Sequence, residues 1–243
     1  MTALGFLYPG HAAEDDYPRM EQLLGSDIRL TVVHTDIGED AHRVDALLEM
    51  GSAQRLAAGV EELRLSGAEA VVWACTSGSF VHGLQGAHEQ VRGLAMAAGL
   101  PASSTSFAFA HAAREIGAHR VAIGATYPDD VAALFAAFLK ETGTEVVAVR
   151  GCGVVTAAEV AGWDYDRALA LAREADRPDA DAILLPDTAL HTVSHLPALE
   201  KALAKPVLTA NQVTAWEALR LTDRRVNAPD LGTLFTREPL VQV

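Results

Sequence analysis

The 243-residue chain predicts an α/β fold of two pseudo-symmetric lobes, each a parallel sheet flanked by helices. Three observations predict it. One pattern is written twice, Glu69-Ala70-Val71-Val72-Trp73-Ala74-Cys75-Thr76 and Asp181-Ala182-Ile183-Leu184-Leu185-Pro186-Asp187-Thr188. In both, an acid precedes five mostly apolar residues and a reactive side chain before threonine. Second, short apolar runs alternate with segments of helical periodicity, the βαβ rhythm of parallel sheets. Third, Leu100-Pro101 and Lys205-Pro206 each open a short extended stretch, ending in Ser104-Thr105-Ser106 and Thr209-Ala210-Asn211, before a helix carrying Ala-Ala-Arg or Ala-Leu-Arg.

In chain order, strand-like runs cover Leu4 to Tyr8, Arg29 to His34, Ala70 to Trp73, Val121 to Ala125, Glu145 to Val149 and Ala182 to Leu185. Each is an apolar run of the length expected for a strand buried on both faces. Helices are expected over Val44 to Ser66, Val81 to Ala98, Phe107 to Gly117, Asp129 to Glu141, Ala157 to Ala175, Leu196 to Ala204 and Val213 to Leu221, where apolar positions recur every three to four residues. The segment Asp129 to Glu141 has Pro128 and two aspartates at its start and Gly143 just beyond its end. The expected division is residues 1–112 plus 213–243 for the first lobe and 113–212 for the second, with the active site in the cleft between them. The tail after Asn227 is expected to be an ordered extension or a lid.

Half the residues are hydrophobic, enough for a sizeable core, and no run approaches the roughly 20 apolar residues of a membrane span. The opening Met1-Thr2-Ala3-Leu4-Gly5-Phe6-Leu7-Tyr8 lacks the charge and length of a signal peptide, so a soluble, cytoplasmic protein is expected. A net charge of −13 without clustered Lys and Arg argues against nucleic acid. It leaves room for a small anion, because helix N-termini and backbone amides bind carboxylates locally. The expected partner is a small carboxylate substrate, with no nucleic acid and no membrane; a homo-oligomer stays open.

Ligands of open α/β sheets sit beyond the carboxyl ends of the strands, which is where the repeat puts Cys75 and Asp187. A free cysteine often serves only as a small hydrophobe. Its repetition as Asp187 at the equivalent strand end points instead to a catalytic pair, since buried carboxylates are rare unless used or paired. A thiol and a carboxylate approaching one substrate from two sides suit moving a proton or inverting a centre. Beside an anionic substrate both are not comfortably anionic, so one proton is expected to be shared. Pro9 and His11, Thr76 and Ser77, Tyr127, Thr188 and Asn211 lie in the loops at the same sheet edges and are the expected substrate-binding residues. Thr76 and Ser77 are equally suited to capping the helix that follows. Two cysteines give neither a disulfide framework nor a zinc pattern, and the histidine spacing matches no metal motif, so no metal is expected. Trp73 and Ser77 stand where a hydrolase elbow needs glycines. Gly124-Ala125-Thr126 is not a dinucleotide fingerprint.

Ala74-Cys75-Thr76-Ser77-Gly78-Ser79-Phe80, Ala125-Thr126-Tyr127-Pro128, the run from Asp181 to Thr188, and Asn211-Gln212-Val213-Thr214-Ala215-Trp216 resemble the maleate cis-trans isomerase and arylmalonate decarboxylase group of the aspartate/glutamate racemase superfamily. The resemblance spans nearly the whole chain. It implies a cofactor-independent enzyme with two pseudo-symmetric α/β lobes and one or two cysteines at the equivalent strand ends. By similarity, Cys75 takes the place of the nucleophilic cysteine of the isomerases, where the decarboxylases carry glycine. Thr76, Ser77 and Tyr127 take the place of carboxylate-binding hydroxyls. Asp187 stands where both groups place cysteine. The loops Gly10-His11-Ala12-Ala13 and Val155-Thr156-Ala157-Ala158 lack the asparagines that grip maleate. The reading is therefore an isomerase or racemase of a small carboxylate using Cys75 and Asp187. A decarboxylase of a malonate-like acid, working through an enediolate, and a non-catalytic binding protein are the alternatives.

Overall fold

Eight strands find parallel partners in the computed structural model, which describes residues 1–236. The first sheet has the order β2-β1-β3-β4, from β1 (Thr2–Pro9), β2 (Ile28–Thr35), β3 (Ala70–Trp73) and β4 (Ala102–Ser104). The second repeats it as β6-β5-β7-β8, from β5 (Arg120–Ala125), β6 (Glu145–Gly151), β7 (Ala182–Leu185) and β8 (Val207–Thr209). β3 and β7 are buried along their whole length, which is why they read as continuous apolar runs rather than alternating ones. In register, Trp73 lies opposite Leu7 and Ser104, and Leu185 lies opposite Thr209. The residues following β3 and β7 consequently emerge at matching places.

The helices are α1 (Asp16–Leu24), α2 (Val44–Met50), α3 (Ala53–Leu63), α4 (Ser77–Phe80), α5 (Gly83–Ala98), α6 (Thr105–Glu115), α7 (Asp129–Glu141), α8 (Ala157–Ala161), α9 (Tyr165–Ala175), α10 (Leu196–Leu203) and α11 (Ala210–Leu221). Three differ from the sequence reading. The segment Val44 to Ser66 is two helices, broken at Gly51 and Ser52. A Cβ on Gly51 would run into the Gly78 carbonyl, and Gln90 Nε2 donates to both the Gly51 and Gly78 carbonyls at 2.8 Å. The corner is thus held against the turn after Cys75. Likewise Ala157 to Ala175 breaks at Gly162-Trp163-Asp164, where the Asp164 side chain caps α9 by accepting from the Arg167 amide at 3.0 Å. Helix α1 was not anticipated: it buries Asp16 and Tyr17 beside Met20 and Leu24, so its inward face is part polar.

The lobes exchange their closing helices. α6 follows the first sheet yet lays Phe109 and Phe107 against Phe135 and Phe138 of α7, with ring centroids 5.4 and 5.3 Å apart. α11 follows the second sheet and packs against α1, β3 and β4 of the first, and against α6. The division expected near residue 112 falls inside α6. After Asn227, short 3-10 turns at Pro229–Leu231 and Thr233–Phe235 bury Leu231, Leu234 and Phe235. The remainder of the expected C-terminal extension, residues 237–243, lies outside the described residues. Among the described residues, no helix is long and apolar enough to cross a membrane.

Candidate active site

The chain leaves β3 at Trp73 and turns at once into α4, which puts Cys75 at the start of a tight turn. Its Sγ accepts the Gly78 amide at 3.2 Å and lies 3.8 Å from the Ser77 hydroxyl. The turn is pinned from below by Ser106, whose hydroxyl donates to the Thr76 carbonyl at 2.8 Å, and by the Ser79 to Ser104 hydroxyl pair at 2.8 Å. Burial pushes the thiol up to about 12; the Gly78 amide and Ser77 hydroxyl oppose the shift and the Asp187 charge adds to it. Cys75 is a neutral thiol through the physiological range, able to donate a proton before it is a nucleophile. Cys152 is exposed and does not line the cleft.

Past β7 the second turn holds Asp187 with both oxygens accepting: Oδ1 from the Ala189 amide at 2.9 Å and Oδ2 from the Thr126 hydroxyl. Cys75 and Asp187, one from each lobe, line the same cleft of about 560 Å³ measured to its open mouth. Pro9, His11, Ser77 and Thr188 are also in its walls. Thr76, Tyr127 and Asn211 are buried and lie behind those walls.

Each of these three has a visible task. The Tyr127 hydroxyl donates to the Pro186 carbonyl at 3.0 Å beside the Ser77 and Thr76 hydroxyls. Burial, with the charge of Asp187, holds its phenol well above its ordinary value, so it stays a donor. Thr76 Oγ1 is buried beside the Tyr127 hydroxyl. Asn211 Nδ2 donates to the Thr188 carbonyl at 3.1 Å, to Asp16 at 3.0 Å and to the Ala13 carbonyl at 3.3 Å, tying the second-lobe turn to the loop after β1. Asp16 also accepts the Thr192 amide; burial pushes its carboxyl up to about 6 against those donors.

Sequence reasoning passed over several residues of the site. Tyr8 lines the cleft, donates to the Thr188 carbonyl at 2.8 Å and accepts the Ala13 amide at 3.0 Å. Its place in an apolar strand concealed it. The loop of residues 36–43 covers the cleft with Glu39, Asp40 and His42, while Ala157 and Ala158 come from the second lobe. Asp40 accepts the amides of Ala157 and Ala158 at 2.8 and 3.1 Å. The His42 amide donates to the Val155 carbonyl at 2.8 Å, and the His42 ring lies 2.9 Å from the Val154 carbonyl and edge-on to Tyr127. Among the described residues lining the cleft there is no Lys or Arg, whereas Glu39, Asp40 and Asp187 are acidic. A substrate carboxylate would have to be held by hydroxyls, amides and histidines.

A family model described as arylmalonate decarboxylase matches residues 50–235. The arylmalonate decarboxylase of Bordetella bronchiseptica is 32% identical over 176 residues, which are 71% of this chain and 73% of that protein. The fold is similar to that of a double mutant of arylmalonate decarboxylase, glycine to cysteine and cysteine to serine, in the liganded form. The TM-score is 0.84 at 27% identity, covering 97% of this chain and 99% of that one. The maleate isomerase Iso of Pseudomonas putida S16 superposes with a TM-score of 0.87 over 97% of this chain and 98% of its own; at 20% identity that likeness is one of fold. The repeated strand ends, the two-lobed sheets and the match over most of the chain have one reading: the chain belongs to the arylmalonate decarboxylase family, a family of enzymes whose fold the maleate isomerases share.

Proposed function

We propose that this protein is a cofactor-independent isomerase or racemase that moves the α-proton of a small carboxylic acid, with Asp187 and Cys75 as the two acid/base groups. The observation that carries this reading is that the repeat-equivalent Cys75 and Asp187 line one cleft, the first as a neutral thiol and the second as an acceptor. Asp187 takes the α-proton, the C–H electron pair enters an enediolate, and the Cys75 S–H delivers its proton to the other face. Solvent then returns the two groups to their starting protonation states. Ser77 and Thr188 hold the carboxylate as charge grows on its oxygens, the donor arrangement of an oxyanion hole, with Thr76 and Tyr127 packed behind them. Asn211 acts behind them by holding the Thr188 carbonyl, and Pro9 and His11 close the substrate side.

The acidic cleft favours a monocarboxylate, since a dianion would face Glu39, Asp40 and Asp187 without a Lys or Arg among the described lining residues. A thiol pushed up to about 12 is a poor resting nucleophile, which weighs against covalent addition to a double bond. Decarboxylation of a malonate-like acid through the same enediolate is the second reading, favoured by the name of the 32%-identical relative. Nothing in the comparisons favours a binding protein without chemistry.

The test is incubation in heavy water with 2-aryl and 2-alkyl monocarboxylates, aryl- and alkylmalonates and maleate, following carbon-bound deuterium by NMR. Label entry without carbon loss is expected, with inversion of the labelled centre abolished by Cys75→Ala. Label with release of carbon dioxide from the malonates alone would give the chemistry to the second reading. Failure of every acid to exchange would sink both.

A further inference from the structure

At the mouth of the cleft, two histidines, one from the loop after β1 and one from β2, converge on a carboxylate oxygen of that same loop. His11 Nδ1, in the loop after β1, lies 3.0 Å from Glu14 Oε1, and His34 Nε2, near the end of β2, lies 3.4 Å from the same atom. The two imidazoles stand 4.0 Å apart, their planes inclined by 30°. All three donor atoms lie within 4.8 Å of one another. From these donors we infer a binding site for a borderline divalent cation of the zinc class, formed by His11, Glu14 and His34.

Zinc bonds of about 2.0–2.1 Å at a tetrahedral angle put neighbouring ligand atoms about 3.3 Å apart. The separations of the two imidazole nitrogens from Glu14 Oε1 bracket that figure, and the third, between the nitrogens themselves, is no more than 4.8 Å, which a cation would draw together. Two imidazoles and one carboxylate are also the donor set of open zinc sites, which keep a further position for water or a carboxylate oxygen. The carboxylate is oriented in advance: Glu14 Oε2 accepts the Ala12 amide at 2.7 Å, leaving Oε1 to the histidines. His11 is itself part of the cleft wall. A cation held here would set a positive charge at the entrance to a cleft lined by Glu39, Asp40 and Asp187, with its remaining coordination position available to a carboxylate or to water. Positions 11, 14 and 34 match no metal motif in the sequence, because the parallel pairing of β1 with β2 is what brings His34 beside the loop after Pro9.

The test uses cobalt(II) chloride as probe, titrated into the full-length protein with Cys152→Ser in place, and does not depend on turnover. One equivalent is expected, with visible ligand-field absorption and no thiolate-to-cobalt charge-transfer band. Glu14→Gln and His34→Ala should each weaken binding by at least about tenfold. His34→Gln keeps the bulk of the side chain, so the same loss there, at an unchanged unfolding temperature, reports the missing ligand nitrogen. A charge-transfer band would put the metal on Cys75 and overturn the site. Absence of a visible band, or unchanged affinity in the Glu14 and His34 variants, would do the same.

Discussion

Thr126, at the foot of the turn after β5, donates its hydroxyl proton to Asp187, at the end of β7. The bond joins the two central strands of the second lobe at the point where the proposed base must be aimed.

Thr126→Val keeps the shape and removes the donor. A hydrogen bond to a charged group contributes about 1.5–3 kcal/mol, so kcat should fall by roughly tenfold to a hundredfold with KM little changed. Steady-state kinetics on the substrate found in heavy water decide it. An unaltered kcat would mean that Asp187 needs no such aiming.

Cys75 as a neutral thiol has its own signature. In a Cys152→Ser background, the rate of alkylation by iodoacetamide should rise with pH throughout, with no plateau below about pH 9, because the thiol is pushed up to about 12 where an ordinary one titrates near 8.5. Asp187→Asn should raise the rate at a given pH by removing a neighbouring negative charge. A plateau near neutrality would identify a resting thiolate and return covalent addition to the leading place.

Glu217, fully buried in α11, makes the fold acid-sensitive. Burial alone would raise its carboxyl, but Arg220 at 2.7 and 2.8 Å and His111 at 3.0 Å outweigh it and hold it at about 2, against an ordinary 4.5. A depressed folded value means stability that is fully present above pH 4.5 and lost as pH falls towards 2, on the order of 3 kcal/mol for this shift. Urea unfolding of Glu217→Gln and the parent between these limits should show the two curves converging as pH falls. Parallel curves would remove Glu217 from the acid limb.

Asp40 fastens the loop over the cleft to the second lobe through the Ala157 and Ala158 amides. Asp40→Ala should speed hydrogen exchange at those two amides and at His42, and raise KM more than it lowers kcat, by about tenfold for the loss of bonds to a carboxylate. Unchanged exchange would mean that the loop is held by His42 and Val155 alone.

What was legible in the chain, and what was not, divides by the range of the interaction. Burial on both faces forces β3 and β7 to be apolar throughout, and leaving such a strand forces a turn. The two lobes, the equivalence of Cys75 and Asp187, and the polar residues beside them therefore follow from local pattern alone. Pattern failed where a residue's partner is remote. Asp16 and Tyr17 made α1 look polar because the donors to Asp16 include Asn211, 195 positions away. Helical periodicity ran straight through Gly51, whose break is imposed by the Gly78 carbonyl. Thr76, Tyr127 and Asn211 belong to the right loops, yet only packing sets them behind the cleft wall while Tyr8, Asp40 and His42 come to its face. By itself the sequence determined which strand ends open onto the cleft, since periodicity and burial act on neighbours along the chain. The tertiary structure decided which side chains meet there, including the His11, Glu14 and His34 cluster, because a hydrogen bond or ligand set closed across 20 to 200 residues is made by strand pairing and helix exchange and leaves no spacing to read.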